Sequence, residues 1–269
     1  MPRAWLDTRV VTIHDPTSLP LSFVGLELVV LALAALTFVH ARATRQLLTW
    51  TTIVVYGLLM EFGSYHLVDN FAHGAFTISF YDARLPLYIA AVYLVLLYVG
   101  IATARTLGLP PGREALAAGA LIVAMDAPFD MVGPAAGWWR WFDTDPNIAH
   151  RWLGVPVTSY YWHLAFGGLL AYLTAAAARR RLPASPPVIA ALALLTIVGG
   201  VVAFLPMHGL AALGVGHGVY VAAALAAAVG LAATAPRRAP RTRDPRLRAA
   251  WLTFYGFHAA VALGLAVSG

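Results

Sequence analysis

Apolar stretches of about 20 residues recur along the whole chain, each long enough to cross a hydrocarbon core of about 30 Å as a helix. Of the 269 residues, 60% are hydrophobic and only 11% are charged. Runs this long and this poor in charge argue against a soluble fold. They predict an all-α, polytopic transmembrane helix bundle formed by one integral-membrane domain over residues 1–269. Eight spans are read, at 21–41, 47–66, 84–106, 115–133, 156–178, 186–206, 210–234 and 249–268, with seven as the alternative count.

The arginines orient these spans. The loops after spans one, three, five and seven hold Arg42 and Arg45, Arg105 and Arg113, Arg179 to Arg181, and Arg237, Arg238, Arg241, Arg243, Arg246 and Arg248. The opposite side holds only Arg3, Arg9, Arg84, Arg140 and Arg151. By the positive-inside rule both termini are expected outside the cytoplasm, in a multi-pass protein of the cell membrane. The net charge of +6 then reflects topology and anionic lipid, not nucleic acid. The first 20 residues, with Asp7, Arg9, Asp15 and several prolines, do not read as a cleavable signal peptide. Residues 235–248 read as a Pro/Arg linker that sets topology. No internal repeat is evident.

Two absences from the composition narrow the chemistry. With no cysteine there is no thiolate nucleophile, disulfide or iron–sulfur ligand. With no lysine there is no retinal Schiff base, which removes a rhodopsin-like reading.

An ionisable residue inside a membrane is costly, so each one is a functional candidate. Glu27, Glu61, Asp126, Asp130, His163, His217 and His258 fall within or beside the spans, and all but His258 fall in the non-cytoplasmic half. Asp126 and Asp130 are four apart and share a helix face. Two neighbouring carboxyls in a low-dielectric site do not both ionise easily, and the one that keeps its proton can serve as a general acid. Pro128 between them is expected to bend the helix and free a carbonyl. After span two, a continuing helix would put His66, Asp69, Asn70 and His73 on one face. That face could hold a divalent metal, with His163 as a further ligand, or contact substrate without one. No cofactor is required, and a divalent metal is the open alternative.

The next loop is rich in aromatics. Trp138, Trp139, Trp141 and Trp152 suit an interfacial belt, or a π-rich wall able to hold a polyene or stabilise a carbocation. Asp143, Thr144, Asp145, Pro146 and Asn147 have the chemistry of a turn. Tyr160, Tyr161 and His163 then enter span five. His208 and His217 bracket the loop between spans six and seven and read first as hydrogen-bonded structural residues.

The run Gly137-Trp138-Trp139-Arg140-Trp141, followed by Gly154-Val155-Pro156-Val157-Thr158-Ser159 before an aromatic helix start, resembles the carotenoid biosynthesis membrane proteins that include the bisanhydrobacterioruberin hydratases. The Asp126/Asp130 pair is similar to that family's Asp-x3-Asp, and Glu61, Gly74, Phe76, Tyr81 and Leu85-Pro86-Leu87 follow in a similar order. The likeness covers roughly residues 58–170; the His66–His73 segment and the Asp143–Ile148 insertion depart from it. What the resemblance implies is a hydratase or cyclase, of lyase or isomerase type, acting on a membrane isoprenoid. Asp126 or Asp130 would protonate a C=C bond, and Glu61 or His163 would orient water. Asn70, Trp138, Trp139, Trp141, Tyr160 and Tyr161 would contact the substrate. A metal-dependent membrane hydrolase or oxygenase, and a transporter or sensor, are the competing expectations.

Overall fold

The computed structural model describes residues 10–142, 146–236 and 244–268. Arg3, Asp7, Arg9, the Asp143-Thr144-Asp145 part of the expected turn, and Arg237, Arg238, Arg241 and Arg243 lie outside the described residues. Helical rods dominate: α1 (Leu21–Ala43), α2 (Leu47–Gly63), α3 (Leu87–Tyr93), α4 (Val99–Thr106), α5 (Pro111–Ala135), the short α6 (Pro146–Ala149), α7 (Val157–Arg179), α8 (Pro186–Ala212), α9 (His217–Ala233) and α10 (Pro245–Ser268). A π-helical turn at Leu94–Tyr98 joins α3 to α4 in one continuous rod. A second, Ser64–Val68, extends α2. Among the described residues, six helices are long and apolar enough to cross a membrane: Leu21–Ala43, Leu47–Val68, Leu87–Thr106, Pro111–Ala135, Pro186–Ala212 and Pro245–Ser268.

α7 is long enough but carries Ser159, Tyr160, Tyr161 and His163 in its first two turns. It tolerates them because it packs against α2, α5, α8 and α9, so its polar groups face protein. The α5–α7 contact is close because residue 119 is glycine: a Cβ there would press on the Leu164 carbonyl oxygen. Leu26, Val30, Ile53, Tyr56, Val95, Ile101, Ile122, Met125 and Leu170 fill the core between the rods.

One end of the bundle is built from short strands. β1 (Val11–Ile13) pairs antiparallel with β3 (Ile78–Phe80), which pairs in turn with β4 (Leu85–Pro86). β2 (Phe71–His73) pairs with β5 (Trp139–Trp141), aligning Phe71 with Trp141 and His73 with Trp139. β6 (Arg151–Trp152) and β7 (Val155–Pro156) form a hairpin. Thus the N-terminal segment and the α2–α3 and α5–α7 connections knit together. Buried Glu27 on α1 fastens this layer to the bundle, accepting from the Thr77 amide at 3.1 Å and the Thr77 hydroxyl at 2.6 Å.

The opposite end carries Arg42, Arg45, Arg105, Arg113, Arg179, Arg180, Arg181, Arg246 and Arg248 at the other helix termini and turns. There His40 Nδ1 meets the Tyr98 hydroxyl at 2.8 Å, and Arg105 donates to Gln46, Thr49 and Thr174.

The expected helical face through His66, Asp69, Asn70 and His73 does not form. The helix widens into the π turn at Ser64 and stops at Asp69, whose φ of 49° is left-handed. The chain then becomes strand, because residues 71–73 are captured by 139–141. The carbonyl that Pro128 was expected to free is present. Proline has no N–H to offer residue 124, and the freed Ala124 carbonyl accepts a hydrogen bond from Tyr255 on α10.

Candidate active site

Below the β2–β5 ribbon lies a cavity of about 170 Å³, bordered by α2, the α3–α4 rod, α5 and α7. In a strand successive side chains point to opposite faces. Phe71 and His73 therefore share the face that meets the cavity, opposite their partners Trp141 and Trp139, which also line it. The ribbon is a lid whose inward side is wholly aromatic or imidazole. The remaining wall is largely apolar, including Ile89, Val92, Leu96, Phe129 and Trp162.

Two polar clusters face this apolar space. In the first, Glu61 on α2 is 4% exposed and accepts from the Tyr65 hydroxyl at 2.7 Å and the Tyr93 hydroxyl at 3.0 Å. His73 Nε2 lies 3.4 Å from the same Oε2, and its Nδ1 lies 3.2 Å from the Tyr88 hydroxyl. The ring thus fits a tautomer that donates from Nε2 to the carboxylate and accepts from tyrosine at Nδ1. Among the described residues no Arg lines the cavity, and the hydrogen-bond partners of Glu61 are phenols and an imidazole.

In the second cluster, buried Asp126 and Asp130 sit one turn apart on α5 and both line the cavity. Two carboxyl groups this near in a low-dielectric wall do not both ionise easily. Ser159 donates to Asp130 Oδ2 at 2.7 Å. His163, one turn further along α7, has Nδ1 2.9 Å from the Ser159 carbonyl and 3.3 Å from Asp126 Oδ2. A carbonyl only accepts, so Nδ1 carries the hydrogen and Nε2 is left as an acceptor, or as a second donor if protonated.

The structure gathers Glu61, Asn70, His73, Asp126, Asp130, Trp139, Trp141 and His163 around one cavity. It leaves out the others. His66 is exposed and bonds the Tyr81 hydroxyl at 2.8 Å, and Asp69 lines a different cavity, both because the helix ends between them and His73. Trp138 turns away to stack on Phe257 and pack against His258. The Tyr160 and Tyr161 hydroxyls go to the carbonyls of Trp152 and Ala203, so both bind backbone rather than line the cavity. The ligand set His66, Asp69, His73 and His163 is therefore not brought together. Among the described residues no group of three or more His, Asp or Glu side chains is arranged to hold a metal ion.

Sequence reasoning missed Ser159, Trp162, Tyr65, Tyr88 and Tyr93. Ser159 and His163 stand four apart, so the same helical spacing that paired the aspartates would have paired them. Gly133 was missed too: a Cβ there would collide with the Trp139 ring, so glycine at this position is what lets the indole lie against α5.

The family model described as Domain of unknown function (DUF7802) matches residues 12–182. The chain belongs to that family. Every residue lining the cavity, from Glu61 to His163, falls inside the matched segment, whereas α8, α9 and α10 lie beyond it. No curated protein matches the chain, and no solved structure does.

Proposed function

We propose that this protein is a multi-pass enzyme of the cell membrane that protonates a C=C bond of an isoprenoid lipid and then hydrates or cyclises it. The observation that carries the reading is the Asp126–Asp130 pair, two buried carboxyl groups one helical turn apart at the wall of an aromatic cavity. The pair supplies the proton to one alkene carbon, leaving a cation on the other. Phe129, Trp139, Trp141 and Trp162 present the ring faces and low polarity that favour such a cation. In hydration, water adds to the cation through oxygen and gives its extra proton to Glu61 or to His163 Nε2, and return of that proton to the aspartate pair resets the enzyme, so the net change is addition of one water. In cyclisation a second C=C bond attacks instead, and a carbon-bound proton returns to the same groups. Neither route draws on a cofactor. An all-neutral or cationic ligand suits a wall that holds three carboxyl groups and no Arg.

The likeness to carotenoid hydratases over residues 58–170 supports the isoprenoid assignment. The arginine distribution supports eight spans with both termini outside the cytoplasm and the cavity toward the outer leaflet. The test is expression in hosts that make different isoprenoids, followed by mass comparison of their lipid extracts. A product heavier by one water marks hydration; an unchanged mass at a new retention time marks cyclisation or isomerisation. Asp126→Asn and Asp130→Asn should each lower product formation by at least about a hundredfold. Normal conversion by both variants would overturn the acid assignment.

A further inference from the structure

A second cavity, about 480 Å³, adjoins the first along β2. The two cavities share only Phe71 and His73 among their lining residues. Ala72 and Gly74, between and beyond these two on β2, line the second cavity alone. This strand is therefore the partition between them. The chemistry on its two sides differs. The first cavity is walled mainly by aromatic and aliphatic groups, with buried acids, histidines and a few hydroxyl and amide side chains. The second is bounded by His14, Asp69, Asp82 and Arg84 in the loop layer, outside the long helices. Charges of both signs on a surface layer suit water rather than a lipid chain or an anionic headgroup.

We propose that the second cavity is an aqueous antechamber and that the Phe71–His73 strand is the gate through which water reaches the inner cavity. The partition is built to yield. It is one three-residue strand held in a two-stranded ribbon, extended by the Gly74 amide on the Trp138 carbonyl and the Phe142 amide on the Asn70 carbonyl, each at 2.8 Å. Isolated ribbons of this size are marginally stable, and such elements open locally at low cost. A second contact across the wall is also switchable. The Tyr65 hydroxyl lies 2.7 Å from both Glu61 Oε2 and the Arg84 carbonyl, and its single hydrogen serves one of them at a time. Opening therefore releases His73 from Glu61 and delivers water at the carboxylate. The inference rests on the hydration reading for its purpose, but not for its test.

Because the chain contains no cysteine, an introduced thiol is the only one present. The full-length protein in lipid nanodiscs would carry either Ala72→Cys, in the antechamber, or Val92→Cys, in the inner cavity. Each would be treated with a charged methanethiosulfonate and, separately, with N-ethylmaleimide. Ala72→Cys should react with the charged reagent at least about tenfold faster than Val92→Cys. Adding Phe71→Ala should speed Val92→Cys roughly tenfold while leaving Ala72→Cys within about twofold. Trp141→Leu removes the partner of Phe71 and should do the same, which covers the case in which Phe71→Ala fails to fold. Three results would overturn the proposal: an unreactive Ala72→Cys, an Ala72→Cys that reacts only with the lipid-soluble reagent, or a Val92→Cys rate unmoved by a folded gate variant. Labelling requires no turnover. A protein with the predicted access but no lipid product would sink the catalytic reading and leave the antechamber standing.

Discussion

The helices before residue 182 and those after it solve the membrane problem differently. The rod Leu87–Thr106 has 78% of its most apolar window buried, and it borders Glu61 and its tyrosines. α8 and α10 have 22% and 17% buried; α8 is the most apolar helix, with a mean hydropathy of 2.8. Among the described residues, the one buried ionisable group of these last helices is His258, whose Nδ1 bonds the Phe254 carbonyl in its own helix. Polar chemistry in a bilayer is tolerable only where protein surrounds it. The later helices supply part of that surround, with α8 against α2 and α7 and α9 against α5 and α7. The family match, residues 12–182, takes in the cavity and stops before these later helices.

Substitutions should break this contrast unevenly. The largest effect belongs to the acid pair: Asp126→Asn or Asp130→Asn should lower product formation by about 10²–10⁴-fold with folded yield unchanged, as for loss of a general acid. Lipid analysis beside size-exclusion yield checks both halves. Next is Gly133→Ala, whose methyl meets the Trp139 ring. We expect a loss of about 1–3 kcal/mol in unfolding stability, together with reduced turnover as the indole shifts from the cavity wall. A thermal shift in detergent that matches wild type would contradict the packing. Ser159→Ala removes one hydrogen bond to Asp130 and should slow turnover roughly fivefold to tenfold, the rate equivalent of about 1–1.5 kcal/mol.

Smaller still is Tyr255→Phe, at about 1 kcal/mol of stability. That cost should shrink toward zero in a Pro128→Ala background, where residue 128 regains an amide to satisfy the Ala124 carbonyl. A double-mutant cycle showing independent effects would disprove the link between the proline and the α10 contact. Smallest are Val201→Ala and Leu205→Ala on the exposed face of α8, each within about 0.5 kcal/mol. A large loss at either would mean that α8 faces protein rather than lipid.

Much of the bundle was legible because the membrane imposes a length and a polarity on each helix, and both are local properties of the chain. The predicted spans at 21–41, 47–66 and 186–206 overlie α1, α2 with its π turn, and most of α8. The aspartate pair was legible for the same reason, since i and i+4 share a face in any α-helix. The segment after Glu61 was not. Its histidines fit helical spacing, yet residues 71–73 pair with 139–141, and no local rule announces a partner so distant in the chain. That pairing moved His73 into the cavity and left His66 and Asp69 outside it. It also chose Trp139 and Trp141 over Trp138, by the alternation of side chains along β5.

Sequence alone thus determined that the chain is a set of apolar rods, where its costly acids lie, and which ends of the rods carry arginine, because hydrophobicity and charge act residue by residue. Only the tertiary structure decided which polar groups meet. Glu61 with His73, and Asp126 and Asp130 with Ser159 and His163, are brought together by glycine-permitted helix contact and by a two-stranded ribbon. Both depend on surfaces that exist only once the rods have packed.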